Sequence, residues 1–584
     1  MVKFKGCNSL WLVVLYLSCW MAYGVVCPDM CTCAERLYIY CDHGNMTDED
    51  LVPVLSTIPA ETIYIDLSHN SLTFIPANVF KKFSALIYID LSHNEIRNIS
   101  ENVFRHLKNL QKIFLHHNAL SRLENQTFTE MPLLKEIHVY NNDISAIEMC
   151  ACVNTPKLDK FYVHHNKITS VSNRTLKSFE TVSYLDLSEN GIQTITQYAF
   201  TKLVSLQTLI LSRNNISVLS MHSFSGLTSL HYLDMSENNI SELEGFIFNP
   251  IRSSIKTLVL KRNRLKSIHS DVFYNMRSLT KLDLSYNEIN TLGSRMLLGV
   301  GLEELHIRGN NLTEINTEVF VGAKKINVLD VSHNKLTDIH IRAFNSFSEN
   351  IYEINIEYNY LTRLLAGVFE GMRFLQSAKM ANNSISYIED WTFRDLVNLK
   401  KLDLSWNKLS TVTLEMLEGL GSLKVFNLHF NPLVRFEFPK FSDSQGTVEI
   451  NMNLTVSDIT HNSVAIKWPY TAGSQIYWSR EVTCVKVEHC SFRPQPEFLA
   501  PYETDIILNN LEADSLYYVC INPAFRSNQI KFHQCLHVRT DKVFIETTIP
   551  VITVSERDIS AAMHCCYSAY ILMCSFLMFI TLLL

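Results

Sequence analysis

The chain has 584 residues, a length typical of two to four domains. Apolar residues make up 47% of it and charged residues 19%, as expected for a well-packed globular protein without a long disordered region. The net charge of −7 gives no support for nucleic-acid binding, which usually requires a basic surface.

The first 24 residues predict a secretory signal peptide. Lys3 and Lys5 precede the apolar run LWLVVLYLSCWMA, and the small residues Ala22 and Gly24 favour cleavage after Gly24. A signal-anchor helix is the alternative, but the apolar run is short for a bilayer, which needs about 20 apolar residues. The rest of the chain is therefore expected to be exported.

A cysteine-rich segment over residues 25–60 is predicted to form an N-terminal cap. Its four cysteines lie in CPDMCTCAERLYIYC, and in an exported chain they favour disulfides over a zinc site. Spacing alone leaves three pairings open. The segment resembles the cysteine-rich N-terminal flank of extracellular leucine-rich repeat proteins. That resemblance implies the pairs Cys27–Cys33 and Cys31–Cys41.

From residue 61 to residue 433 an asparagine recurs every 23 to 25 residues. Around it the frame is L-x-x-L-x-L-x-x-N-x-L, as in LTKLDLSYNEI at 279–289 and LKKLDLSWNKL at 399–409. Sixteen copies of this frame resemble the leucine-rich repeat family, which implies an α/β-type solenoid: a curved array with a parallel concave sheet. The repeat asparagines are Asn70, Asn94, Asn118, Asn142, Asn166, Asn190, Asn214, Asn238, Asn263, Asn287, Asn310, Asn334, Asn359, Asn383, Asn407 and Asn431.

The frame also has a physical explanation. Alternating L-x-L predicts a short strand with one buried face, and strands of successive repeats are expected to pair in parallel. The asparagine is expected inside the bend, bonded to backbone groups that would otherwise be buried unpaired. A phenylalanine ten residues later is predicted to fill the convex side in most repeats. These are Phe80, Phe104, Phe128, Phe200, Phe224, Phe248, Phe273, Phe320, Phe344, Phe369 and Phe393.

Two cysteines interrupt one repeat. Cys150 and Cys152 lie in EMCAC, and Cys152 takes the place of the phenylalanine. The sequence allows three interpretations of this pair: two small buried thiols, a local disulfide, or a covalent link to another chain.

After a linker at 434–447, residues 448–543 lose the repeat. The stretches LTVSDITHNSVAIKW and LNNLEADSLYYVCI resemble a fibronectin type III domain, which implies a small all-β sandwich. Trp468 would be its buried core tryptophan, and Tyr517 fits the tyrosine-corner position. The predicted disulfides here are Cys520–Cys535 and Cys484–Cys490.

The C-terminal segment predicts membrane attachment. Residues 544–560 read as a short stalk, and residues 561–584 as a hydrophobic tail. The purely apolar part is about 14 residues, short of the roughly 20 that span a bilayer. Small residues at Ser560–Ala562, a spacer and this tail favour a GPI-attachment signal with Ser560 as the attachment site. A membrane helix extending back through Cys565 and Cys566 is the alternative.

Nine N-x-S/T sequons predict a glycosylated surface. From the seventh repeat onward they lie beside the repeat asparagine, near the concave rim, whereas earlier ones fall in turns or on the convex side. The concave face of the first five repeats is therefore expected to be the least obstructed. The sequons are Asn45, Asn98, Asn125, Asn173, Asn215, Asn239, Asn311, Asn382 and Asn453.

Repeats three to five depart from the common concave pattern. Seven of the sixteen repeats carry L-D-L-S or a close variant, whose aspartates and serines predict a solvated row, but these three carry aromatic and histidine residues instead. Aromatic enrichment on an exposed face is typical of binding hot spots, although neutral drift explains it too. The predicted ligand-binding residues are Phe114, His116, His117, His138, Tyr140, Tyr162, His164 and His165.

A metal site among these histidines is not predicted. His116 and His164 belong to strands that are two spacings, about 9.6 Å, apart, which is too far for one shared ion. A pH response is chemically possible because histidine titrates near neutrality, but no pattern selects it.

The overall plan resembles connectin- and chaoptin-like cell-surface proteins, and the added β-domain resembles fibronectin-leucine-rich proteins. The resemblance implies adhesion or recognition of a protein ligand, often homophilic, at the outer face of the plasma membrane. A Toll-like pattern-recognition protein, or a secreted-ligand co-receptor without a signalling tail, is the alternative. The sequence carries no P-loop, nucleophile elbow, His-Glu-x-x-His or paired-carboxylate signature, so we predict no enzyme activity, no cofactor and no small-molecule substrate.

Overall fold

The structure is a computed structural model that describes residues 27–433 apart from residue 36, and a set of short strand segments beyond them. The predicted signal peptide, stalk, tail and Ser560 lie outside the described residues, as do Trp468, Cys490 and Asn453. Within the described part, no helix is both long and apolar enough to cross a membrane. The segments beyond 433 are 435–437, 448–451, 455–460, 463–467, 470–472, 479–486, 505–508, 516–524, 530–532 and 534–540.

Each of the sixteen repeats contributes one short strand to a single parallel sheet on the concave side of a solenoid, which confirms the predicted fold class. The residue in the middle of each strand is buried, and register is kept from strand to strand: Ile113 pairs with Ile137, which pairs with Phe161. The strands are Tyr64–Asp66, Tyr88–Asp90, Lys112–Phe114, Glu136–His138, Lys160–Tyr162, Tyr184–Asp186, Thr208–Ile210, Tyr232–Asp234, Thr257–Val259, Lys281–Asp283, Gly301–His306, Lys325–Asp330, Glu353–Asn355, Ser377–Lys379, Lys401–Asp403 and Val425–Asn427.

The repeat asparagines hold neighbouring turns together. Asn142 Nδ2 donates to the carbonyls of Leu115 at 2.9 Å and Val139 at 3.1 Å, and its Oδ1 accepts the Leu120 N–H at 3.0 Å. The first and third of these groups belong to the preceding repeat. Because the site is buried, these bonds satisfy backbone groups that would otherwise be unpaired.

The convex side is filled by the phenylalanine row. Phe80, Phe104 and Phe128 are fully buried, with successive ring centroids 6.0 and 5.9 Å apart. Short strands pair in parallel along this side, and two 3₁₀ helices, Asn249–Ile251 and Asn345–Phe347, lie between repeats. The short strands are Phe74–Ile75, Asn98–Ile99, Arg122–Leu123, Phe128–Thr129, Ala146–Ile147, Cys152–Val153, Ser170–Val171, Thr194–Ile195, Ser267–Ile268, Thr291–Leu292, Glu314–Ile315, Asp338–Ile339, Arg363–Leu364, Tyr387–Ile388, Thr411–Val412 and Arg435–Glu437.

The N-terminal cap closes one end of the sheet. Strands Thr32–Ala34 and Tyr38–Tyr40 form an antiparallel pair, and Tyr38–Tyr40 pairs in parallel with the first repeat. Helix Asp48–Thr57 follows, and its Leu51 is fully buried. The structure contains the disulfides Cys27–Cys33 and Cys31–Cys41.

Beyond the repeats, six of the described strands form two antiparallel groups of three. In the second group the backbone register places Cys520 opposite Cys535, and Tyr517 lies in the same strand as Cys520. Packing of these groups into a sandwich stays a prediction. The first group is Thr455–Ile459, Val464–Lys467 and Asp505–Leu508; the second is Ser479–Lys486, Leu516–Ala524 and Gln534–Arg539. Tyr470–Ala472 pairs with Arg435–Glu437, and Val448–Asn451 and Ile530–Phe532 extend the repeat sheet.

Candidate ligand-binding surface

Three side chains of each repeat emerge around the end of the concave strand. In the third repeat they are Phe114, His116 and His117, which follow the buried Ile113 and precede Asn118. Because the strands pair in register, the same positions of successive repeats form rows across the sheet. We call the rows that contain these three residues the inner, middle and outer rows.

The inner row is a continuous stack in repeats three to five. The ring centroids of Phe114 and His138 are 4.3 Å apart, and those of His138 and Tyr162 are 4.4 Å apart. His138 Nε2 also lies 3.3 Å from Glu136 Oε2, and its side chain is only 14% exposed. The stack therefore fixes the orientation of the central imidazole.

The middle row repeats this arrangement. Tyr140 stacks between His116 and His164, with centroids 4.4 Å from each. His164 Nδ1 lies 3.2 Å from an Asp186 carboxylate oxygen.

The outer row is a stack of imidazoles at the edge of the sheet. His117 lies on His93 at 4.1 Å, His93 on His69 at 4.2 Å, and His69 on His43 at 4.3 Å. All four residues have positive φ, between 53° and 56°. The left-handed backbone is the bend that precedes each repeat asparagine, so it carries these side chains to the rim.

Beyond His117 the outer row changes. Asn141 occupies the fourth repeat, and its Nδ2 lies 3.2 Å from His117 Nε2. His165 in the fifth repeat pairs with Glu189, with Nε2 2.8 Å from the carboxylate. Seven of the eight predicted residues therefore contact another predicted ring in a neighbouring repeat. The eighth, His165, contacts the ring of His164 in its own repeat.

The stacked surface also extends beyond the predicted set. Tyr88 stacks on Tyr64 at 4.4 Å and meets Phe114 at 4.8 Å, and Tyr162 meets Tyr184 at 5.0 Å. A signal for the first two was present, because YIDLSHN occurs identically at 64–70 and 88–94. We call all these rings, from Tyr64 to Tyr184, the aromatic surface.

The aspartates of the common Asp and Ser pattern also have a structural role. Each aspartate Oδ1 accepts the backbone N–H of the serine two residues later, at 2.8 to 3.0 Å, and Asp186 is buried. Phe114, His138 and Tyr162 replace this bond with ring stacking. The aspartates are Asp66, Asp90, Asp186, Asp234, Asp283, Asp330 and Asp403.

Burial keeps several of these histidines neutral. It lowers the pKa of His116 to about 3, and the neighbouring His117 and His93 lower it further by repulsion. The pKa values of His93, His117 and His138 are also lowered, chiefly by burial. At neutral pH these rings therefore present lone pairs and N–H groups rather than positive charge.

The described sequons lie around the aromatic surface rather than on it. Asn45, Asn98, Asn125, Asn173 and Asn215 are exposed, and Asn239, Asn311 and Asn382 are partly exposed. Occupancy of these sites stays a prediction.

Cys150 and Cys152 are unbonded thiols: Cys152 is buried, which raises its pKa, and Cys150 is partly exposed.

The fold and this surface together define a repeat scaffold with an open concave face. The family model described as "Leucine rich repeat" matches residues 64–120, 108–168, 156–216, 180–240, 253–301, 300–349 and 375–433, which together exceed half of the chain. The chain therefore belongs to the leucine-rich repeat family. That family is a repeat scaffold rather than a catalytic family. No match was found among curated proteins.

Two solved structures share the fold. A leucine-rich repeat protein of Leptospira interrogans is 23% identical, with 66% of this chain and 95% of that chain covered and a TM-score of 0.53. The Toll structure from the glycosylated Drosophila Toll–Spatzle complex is 22% identical, with 68% of this chain covered and a TM-score of 0.57. This chain spans about half of that structure, 54%.

Proposed function

We propose that this chain is a cell-surface recognition protein that binds a protein ligand through the aromatic surface. The observation that carries the proposal is the placement of the rings. They lie on the open concave face, whereas the core beneath them is already filled by Ile113, Ile137 and Phe161. Packing of the fold therefore does not account for them.

The surface has the chemistry of a binding hot spot. Tyrosine offers a large apolar ring with a polar tip and is enriched where interfaces carry most of their energy. Stacking at 4.3 to 4.4 Å already restrains the rings of the inner and middle rows. These rings would therefore lose little side-chain entropy when a ligand binds to them.

The dimensions favour a macromolecular ligand. From Tyr64 to Tyr184 the aromatic surface crosses six strands, or five spacings, a span of about 24 Å. It is an open sheet face, whereas small-molecule sites are concave pockets that enclose most of the ligand. A face this long suits a protein–protein interface of about 800 Å² per partner.

We further propose that binding is adhesive and possible between two copies on opposing cells. The signal sequence, the sequons and the C-terminal tail support placement at the outer face of the plasma membrane, with a GPI anchor at Ser560. The two strand groups beyond residue 448 support a fibronectin type III-like sandwich between the repeats and the membrane. Phospholipase release of the protein from cells tests the anchor.

Cell mixing tests the binding proposal. Cells that express the protein are expected to aggregate with one another, and the double substitution Tyr140→Ala/Tyr162→Ala is expected to weaken binding by about tenfold or more. The matched control is Tyr360→Ala/Tyr387→Ala, because these tyrosines are 58% and 52% exposed and lie outside the aromatic surface. Surface expression of each variant is measured by antibody.

Two results would redirect the proposal. Without aggregation, a screen of secreted and cell-surface proteins should yield a ligand whose binding depends on Tyr140 and Tyr162, which would support the co-receptor alternative. Binding that survives the double substitution, in either assay, would contradict the assignment of the aromatic surface.

A further inference from the structure

Three imidazoles converge where the outer and middle rows meet. The ring nitrogens that His93, His116 and His117 offer as ligands all lie within 4.8 Å of one another. His116 Nδ1 and His117 Nδ1 are 3.1 Å apart. Among the described residues, this is the one group of three or more such side chains close enough to share an ion.

The fold holds these rings in place from three directions. His93 and His117 occupy the same position of adjacent repeats, and their left-handed backbones, with φ of 53° and 54°, bring the two rings face to face at 4.1 Å. The His116 ring stands across them, at 89° to His93 and 79° to His117. Tyr140 stacks on His116 and fixes that orientation.

We propose that His93, His116 and His117 form a binding site for one zinc-type divalent transition-metal ion. Imidazole nitrogen is a preferred ligand of such ions, and three protein ligands with one open position is the arrangement of an open tetrahedral site. Two nitrogens bound to one tetrahedral zinc ion lie about 3.4 Å apart, given zinc–nitrogen bonds of about 2.1 Å. The pair His116 and His117 is already near that separation, and the His93 nitrogen lies within 4.8 Å of both.

Electrostatics and the surroundings support the site. Metal ions bind neutral imidazole, which is the ordinary form of a histidine side chain at physiological pH. Asn141 lies 3.2 Å from His117 Nε2. This contact helps to hold the His117 ring in place.

The strand spacing that excludes a shared ion for His116 and His164 does not exclude this site. His116 and His164 are two strands apart. His93 and His117 are one strand apart, and both emerge from bends rather than from the flat part of a strand. The fourth ligand position faces solvent, because His117 is exposed and His93 only partly buried. It is open to water or to a side chain of a bound partner.

Calorimetric titration of the full-length protein with zinc chloride tests the site. The protein is purified in detergent without a polyhistidine tag and stripped with a chelator before the titration. One ion per chain is expected, and His93→Asn or His117→Asn is expected to weaken binding by about tenfold or more. His165→Asn is the matched control, because it changes the same repeat position but pairs with Glu189.

Cobalt replacement gives a second readout. A visible absorption band of tetrahedral cobalt is expected with the wild-type protein and is expected to disappear in His116→Asn, with the melting temperature checked for each variant. Absence of zinc binding up to about 100 µM would overturn the site. An equal loss in His165→Asn would overturn it too. Zinc binding does not require a protein ligand, so this result is independent of the cell-mixing assay.

Discussion

The first five repeats and the later repeats share one backbone but differ on the concave face. In both regions the strand centre is buried and the asparagine bridges to the preceding repeat. Asn142 Nδ2 donates at 2.9 Å to a carbonyl 27 residues earlier, and Asn263 Nδ2 at 2.9 Å to a carbonyl 28 residues earlier. The buried positions therefore impose the same geometry on every repeat.

The open positions follow no such constraint. Repeats three to five carry stacked rings in place of the Asp and Ser pattern. Several later repeats keep that pattern, carry ion pairs such as Arg213 between Glu189 and Glu237, at 2.9 and 3.3 Å, and stack rings in isolated pairs such as Trp406 and Phe430. Exposed ion pairs contribute little to stability. The buried core therefore specifies the array. At the concave positions, a binding function can be added without lowering the stability of the fold.

The largest effect is expected where the two regions are alike. Asn142→Ala and Asn263→Ala should each lower the free energy of unfolding by about 2 to 4 kcal/mol, because each leaves several buried backbone groups unpaired. Chemical denaturation measures both. The control is Asn141→Gly, one residue away and partly exposed, because glycine tolerates the φ of 51° there; the expected change is under about 1 kcal/mol. A cost confined to one of the two regions would break the claim of a shared core.

A smaller effect is expected where the regions differ. Phe114→Asp restores the common residue in the third repeat and removes the stack with Tyr88 and His138. The new carboxylate should accept the backbone N–H of His116, just as Asp283 accepts the backbone N–H of Ser285 at 2.9 Å. The free energy of unfolding should therefore change by less than about 1 kcal/mol. Ligand affinity should fall by about tenfold, as for a lost hot-spot aromatic.

Cell aggregation, or binding of the ligand found by screening, measures that loss. Asp283→Asn is the control in the later repeats and should leave ligand affinity unchanged. Equal losses from Phe114→Asp and Asp283→Asn would mean that binding is not confined to the aromatic surface.

Much of the fold could be predicted because burial leaves a periodic trace. The repeat asparagines marked all sixteen concave strands, and the phenylalanine row marked the convex core. The eight surface residues were found in a similar way, as departures from the period. Tyr64 and Tyr88 were missed because they flank an ordinary Asp and Ser pattern, so their repeats did not look exceptional.

The proposed metal site could not be predicted because it depends on backbone conformation. A strand spacing gives distances between residues of the flat sheet, but His93 and His117 leave it at left-handed bends. Sequence spacing does not reveal that their rings turn toward His116. The same limit applies to pKa values, which depend on how deeply each ring is buried.

The smallest expected effect is on the loss of stability at acidic pH. His138 lies between two rings, and burial lowers its pKa; Lys112 and Lys160 lower it further, whereas Glu136 opposes the shift. Below the ordinary histidine pKa of about 6.5, the unfolded chain binds a proton that the folded chain does not. His138 therefore costs stability as the pH falls from about 6.5 toward its folded-state pKa.

His138→Phe should flatten this acid loss, because phenylalanine keeps the stack and does not titrate. The melting temperature at pH 7.5 and pH 5.5, with chelator present, measures the slope. His429 provides the comparison from the later repeats, since burial also lowers its pKa while Asp403 opposes the shift. If burial is the shared cause, His429→Phe should flatten the slope as well. An unchanged slope in His138→Phe would show that the ring is already free to protonate, and hence that the inner row is looser than its stacking distances indicate.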